Sequence, residues 1–112
     1  KHLILTSAVT QETIQNKLGK YTVPPSGVIF VPALNERERQ IIAKYWTEKA
    51  GVEVCYGISV PVQWKISEFG PWWFLPTVTA MKAMVTCCRF RIIDSGPFWN
   101  NNAFTMLLEA VN

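Results

Sequence analysis

The stretch from Asn35 to Gly51 constrains the chain more than any other part of it. Asn35 stands where a side-chain oxygen can cap a helix, and Glu38, three residues on, can reach back to the Asn35 N–H, so the pair forms a reciprocal capping box. Ile41, Ile42, Tyr45 and Trp46 then recur at helical spacing, and Gly51 follows Ala50 as a stop. Glu36 and Glu38 lie at the positive end of the helix dipole, Lys44 and Lys49 toward the negative end. A helix with one apolar face needs a second apolar surface to cover it, and the rest of the chain must supply that surface.

Short apolar runs elsewhere are cut by glycine and proline. His2–Thr6 and Val28–Val31 read as strands, separated by a connector containing Pro24, Pro25, Ser26 and Gly27. Between Thr10 and Leu18, Ile14 and Leu18 lie four apart before Gly19, which predicts a short helix. Val52, Val54 and Tyr56 alternate with polar residues, as do Val60, Val62, Trp64 and Ile66 around Pro61, so two strands are expected there, the second at a sheet edge. Pro76 opens a segment in which Val78, Met81 and Val85 share a helical face; its Thr and Val content also suits a strand, and helix is the preferred reading. Arg89–Asp94 reads as a strand stopped by Ser95, Gly96 and Pro97, and Phe104, Leu107, Leu108 and Val111 predict a closing helix. The expected fold class is α/β, a small mixed β-sheet covered by about three to four helices, in one compact domain over residues 1–112.

Composition narrows the function classes. Hydrophobic residues make up 49% and charged residues 17% of the 112-residue chain, too apolar for disorder, and the apolar runs are too often interrupted for a membrane span. The net charge of +3 comes without a basic cluster, so nucleic acid is not the expected partner. Cys55, Cys87 and Cys88 form no zinc spacing, and core thiols are expected in preference to a metal site. Reduced cysteines and no signal-like segment favour a cytoplasmic location, with a viral-type accessory protein among the candidates. No glycine-rich phosphate loop exists, and no cofactor is expected. His2, the only histidine, stands almost at the terminus, so no catalytic residue is assigned.

Two sets of residues remain as candidates. If strands run parallel, their carboxyl ends form a rim where Ser7, Asn35, Asp94 and Ser95, with Thr6 nearby, could bind a small molecule. The second set is aromatic. Phe69 stands just before Pro71, Trp72 and Trp73 lie between Pro71 and Pro76, and Phe98 with Trp99 follows Pro97 and precedes three asparagines. Adjacent indoles cannot share one face of a strand, and an outward ring offers a large rigid contact area. The leading expectation is a noncatalytic binding or inhibitory protein using this aromatic patch on a protein partner or on itself as a homo-oligomer. A small enzyme or metabolite-binding protein using the rim is the alternative.

Overall fold

A computed structural model of the chain describes residues 1–51 and 74–111. The strands expected at 52–56 and 60–66 lie outside them. Two compact units divide the chain: Lys1–Glu12, Val23–Val28 and Leu75–Asn112 form one, Thr13–Thr22 and Ile29–Phe74 the other.

The first unit is built on an antiparallel sheet of three strands, His2–Ala8 (β1), Phe90–Phe98 (β6) and Ala103–Ala110 (β7), in the order β1-β7-β6. β7 is the central strand. Its Phe104, Met106 and Leu108 alternate onto one face and are buried with Val9 and with Met81 and Val85 of a helix, Val78–Cys87 (α2). This segment was expected to be a helix, because Phe104, Leu107, Leu108 and Val111 also fit a 3.6-residue period. The period of two wins: a central strand contributes apolar residues to both faces, and Leu107 sits on the outer one.

α2 is a helix as expected. Thr77 caps it, its hydroxyl accepting from the Ala80 N–H at 3.0 Å while donating to the Pro25 carbonyl. Beyond α2, β6 runs through Ser95, Gly96 and Pro97 where a stop was expected. Hydrogen bonding explains the tolerance. Ala110 donates to the Lys1 carbonyl at 3.1 Å, so alternate residues of β7, Phe104 among them, bond toward β1. Pro97 faces Phe104 across the sheet, in a pair that β6 and β7 do not bond, so its missing N–H costs the ladder nothing.

The second unit pairs Thr13–Asn16 (β2) with Gly19–Thr22 (β3) as an antiparallel hairpin beside the helix Glu36–Ala50 (α1). The helix expected at Thr10–Leu18 is therefore absent. Asn16 Oδ1 accepts from the Leu18 N–H at 3.0 Å, closing a turn, and Asn16 Nδ2 donates to the Ile41 carbonyl at 2.9 Å. Gly19 has φ +149°, and a Cβ there would stand 3.0 Å from Arg37 and 3.1 Å from Ile41. A glycine suits this positive φ and spares the ends of the Arg37 and Ile41 side chains a tight contact where the hairpin approaches α1. Ile14, Ile41, Ile42 and Trp46 are buried, and the Asn35 capping box and left-handed Gly51 stop are both present.

Val28–Phe30 (β4) pairs with Phe74–Pro76 (β5) as a third sheet. The described residues thus hold seven strands in three sheets and two α-helices, not one mixed sheet under three to four helices. The local spacing at Phe104–Val111 was overruled by pairing with the distant β1, and that at Thr10–Leu18 by the β2–β3 hairpin formed between sequence neighbours. No helix among the described residues is long and apolar enough to cross a membrane.

Candidate functional site

The turn between β6 and β7 is the most unusual piece of backbone in the first unit. Trp99, Asn100 and Asn101 take φ of 54°, 53° and 65° in succession, a left-handed run made without glycine. Each such residue costs roughly 1–2 kcal/mol relative to a right-handed one. Asn102, fully buried, holds the run in place: its backbone N–H donates to the Trp99 carbonyl at 3.0 Å, and its Nδ2 donates to the carbonyls of Trp99 at 3.2 Å and Asn100 at 3.1 Å. From the other side, the Asn102 carbonyl accepts from Val9 at 2.9 Å and Gln11 donates to the Asn101 carbonyl. Asn100 and Asn101 thus build the turn, each in a conformation that this residue type tolerates better than most, and Asn102 braces it. At its start stand Phe98 and Trp99, leaving 46% and 44% of their surfaces open. Strain held by surrounding bonds is a recurrent feature of functional positions.

Asp94 lies on the outer face of the three-stranded sheet, while Ser95, opposite Met106, takes the other parity on the exposed edge strand β6. A bulge at Ile93 shifts the register, so that Ile92 faces Leu108 while Asp94 faces Leu107. Without it, Asp94 would share the inward parity of Phe90 and Ile92 and meet the core. Asp94 Oδ1 accepts from the Ser95 N–H at 2.8 Å, and both residues border an open hollow of about 370 Å³ with Ile4, Gly96, Thr105 and Leu107. On the same face Thr6 and Thr105 hydroxyls meet at 2.9 Å, and Glu109 pairs with His2 at 3.4 Å and with Arg91.

The other expected ligand residues do not join this hollow. Ser7 faces Phe104, and its hydroxyl donates to the Ala8 carbonyl at 2.9 Å. Asn35 belongs to the second unit, where its Oδ1 accepts from the Glu38 N–H at 2.8 Å and its own N–H donates to Glu38 Oε1 at 2.9 Å. The rim rested on parallel strands. In an antiparallel sheet the carboxyl ends of neighbouring strands point opposite ways, so β1, β7 and β6 offer no such rim. Phe69, Trp72 and Trp73 lie outside the described residues.

Cys87 and Cys88, expected in a core, are exposed free thiols at the end of α2, beside an apolar hollow of about 470 Å³ that also touches Val28, Ala83 and Met84. The apolar face of α2 is the one carrying Ala80, Met81 and Val85, which leaves the last residues of the helix outside it. Among the described residues no three His, Cys, Asp or Glu side chains gather as a metal site. In the second unit, partial burial and the Glu38 carboxylate push the Tyr21 phenol above its ordinary value. What reading the sequence missed was the left-handed turn itself. Its signal was there, in three consecutive asparagines after an aromatic pair, a composition suited to positive φ and in excess of what a helix cap requires.

No protein-family model, curated protein or solved structure matches the chain.

Proposed function

We propose that this chain is a noncatalytic protein-binding module that uses the Phe98–Trp99 turn as its contact. The observation that carries the reading is the Trp99 indole, nearly half exposed on a residue with φ 54°, on a turn braced by a fully buried asparagine. The tryptophan backbone is strained in a left-handed conformation that a glycine would occupy without strain. Holding an indole there suits a preorganised contact, since an already rigid aromatic ring loses little entropy when a partner covers it. Phe69, Trp72 and Trp73, outside the described residues, are proposed as partner-binding on the sequence alone. Accessory and inhibitory roles both use such a contact.

The test couples association with stability. The unmodified chain and the variants Trp99→Ala, Phe98→Ala, Trp72→Ala and Trp73→Ala would be immobilised for capture from lysate. Any captured protein would then be identified and its affinity measured calorimetrically, and each variant's unfolding followed by urea titration. Trp99→Ala should weaken binding by tenfold or more, a loss of about 1.4 kcal/mol or greater, while remaining folded. A partner held equally well by the Trp99→Ala chain would defeat the proposal.

A further inference from the structure

We propose that β1 is the seam of a two-fold dimer of this chain, in which β1 of each copy pairs antiparallel with β1 of the other and the sheet continues as β6-β7-β1-β1-β7-β6. The inference stands apart from the role given to Trp99.

Both β1 and β6 are edge strands of the three-stranded sheet among the described residues. They are built differently. β6 carries the devices that keep an edge from pairing: a bulge at Ile93, Gly96, Pro97 with no N–H to donate, and the exposed cation of Arg91. Between His2 and Ala8, β1 has no proline, glycine, lysine or bulge. It presents instead Ile4, 72% exposed, and Leu3, 44% exposed. An unguarded, regular, apolar edge is a template for another strand.

The ladder fixes which groups are offered. Because Lys1 and Ala110 form a bonded pair, Leu3, Leu5 and Ser7 bond inward to β7, and the N–H and C=O groups of His2, Ile4 and Thr6 point outward. Ile4 therefore offers its side chain and its backbone to the same neighbour.

A second copy is the strand that fits. Set antiparallel about a two-fold axis at Ile4, β1 meets itself with outward-bonding residues opposed: Ile4 against Ile4 of the second copy, His2 against Thr6. On the inner face Leu3 meets Leu5 of the second copy. Apolar residues oppose apolar ones on both faces, and the one titratable side chain of the strand meets a hydroxyl and not its own twin. This is the self-complementarity an isologous interface requires. On the outer face the Asp94, Leu107 and Ile4 row becomes continuous across the axis, apolar at its centre and acidic at both ends.

Sedimentation of the full chain across a roughly hundredfold range of concentration should show a monomer–dimer equilibrium. Of the backbone groups Ile4→Pro removes only an outward N–H, leaving the β7 ladder intact, and it trims the Ile4 side chain at the axis as well. It should weaken dimerisation by at least about tenfold, since both hydrogen bonds of the central pair are lost. Ile4→Lys keeps the backbone, places like charges at the axis, and should weaken the dimer in a salt-dependent way. In hydrogen exchange the Ile4 and Thr6 amides of the unmodified chain should gain protection with concentration, and the Thr6 amide of the two Ile4 variants should not. A chain that stays monomeric overturns the proposal, as does a dimer indifferent to both Ile4 variants or one whose Ile4 and Thr6 amides exchange freely. Binding of an extended foreign peptide along β1 by a monomeric chain also overturns it.

Discussion

Replacing Trp99 by alanine and, separately, by glycine tests the left-handed turn through a reversal of sign. Fully burying a large apolar side chain stabilises by roughly 1.5–3 kcal/mol, so the part of Trp99 that is covered, just over half, contributes about 1–2 kcal/mol. Both variants lose that contribution together with everything else the indole touches, so the comparison between them isolates the backbone. At an ordinary position alanine is the more stabilising of the two by roughly 0.4–1 kcal/mol, because glycine leaves the unfolded chain more freedom. At φ 54° the alanine Cβ retains a strain of roughly 1–2 kcal/mol that glycine lacks. The glycine variant should therefore be the more stable, by about 0.5–1 kcal/mol, and should fall little below the unmodified chain. Urea titrations read the difference, with equal m-values confirming that the denatured states are comparable. Should the alanine variant equal or exceed the glycine variant, Trp99 is not left-handed in solution, and the argument that its conformation is retained for contact collapses. An Asn101→Gly chain makes a control: its φ of 65° predicts a gain of a few tenths of a kcal/mol, since asparagine already tolerates that region.

Two further outcomes test the second unit. Trp46 is buried on the apolar stripe of α1, so Trp46→Ala should cost about 3–5 kcal/mol in denaturant titration; a cost below about 1 kcal/mol would put the indole outside any core. The Tyr21 phenol has its pKa raised by burial first and by Glu38 second, so the folded chain holds this proton more tightly than the unfolded chain does. Its contribution to stability is complete below the ordinary value of 10.0 and is lost as pH rises through the higher folded value. Stability should decline in that alkaline range, and Tyr21→Phe should remove this part of the decline; an identical alkaline profile for the two chains would refute it.

Much of the local structure was legible in the residues. The capping box of Asn35 and Glu38, the stripe through Trp46 and the stop at Gly51 are interactions among near neighbours, and α1 forms as they predict. The Val78, Met81 and Val85 spacing likewise marks α2, whose Thr77 cap is local too, and β1 and β4 were visible as short apolar runs. The candidate site was legible only in part. Phe98 and Trp99 stood out by composition and do lie exposed on a turn, whereas the grouping of Ser7 and Asn35 with Asp94 and Ser95 depended on a parallel sheet that β1, β7 and β6 do not make.

The residues by themselves determined those elements whose caps, stops and apolar spacing are each made between near neighbours in one continuous stretch, because such interactions depend on separation along the chain. Tertiary structure decided the rest. Phe104, Leu107 and Leu108 satisfy a helix as well as a strand, and β7 is a strand because β1, about a hundred residues earlier, and β6 bond to both its sides. Ile14 and Leu18 satisfy a helix as well, and become a hairpin because Gly19 lets β3 close on α1. The inward or outward aim of Asp94 turned on one bulged residue, Ile93, which no local pattern announces. A strand completes its hydrogen bonds with another strand, near in sequence for β2 and β3 and far for β1 and β7, so its existence, register and facing are properties of the pair, and a single stretch of chain carries only half of that information.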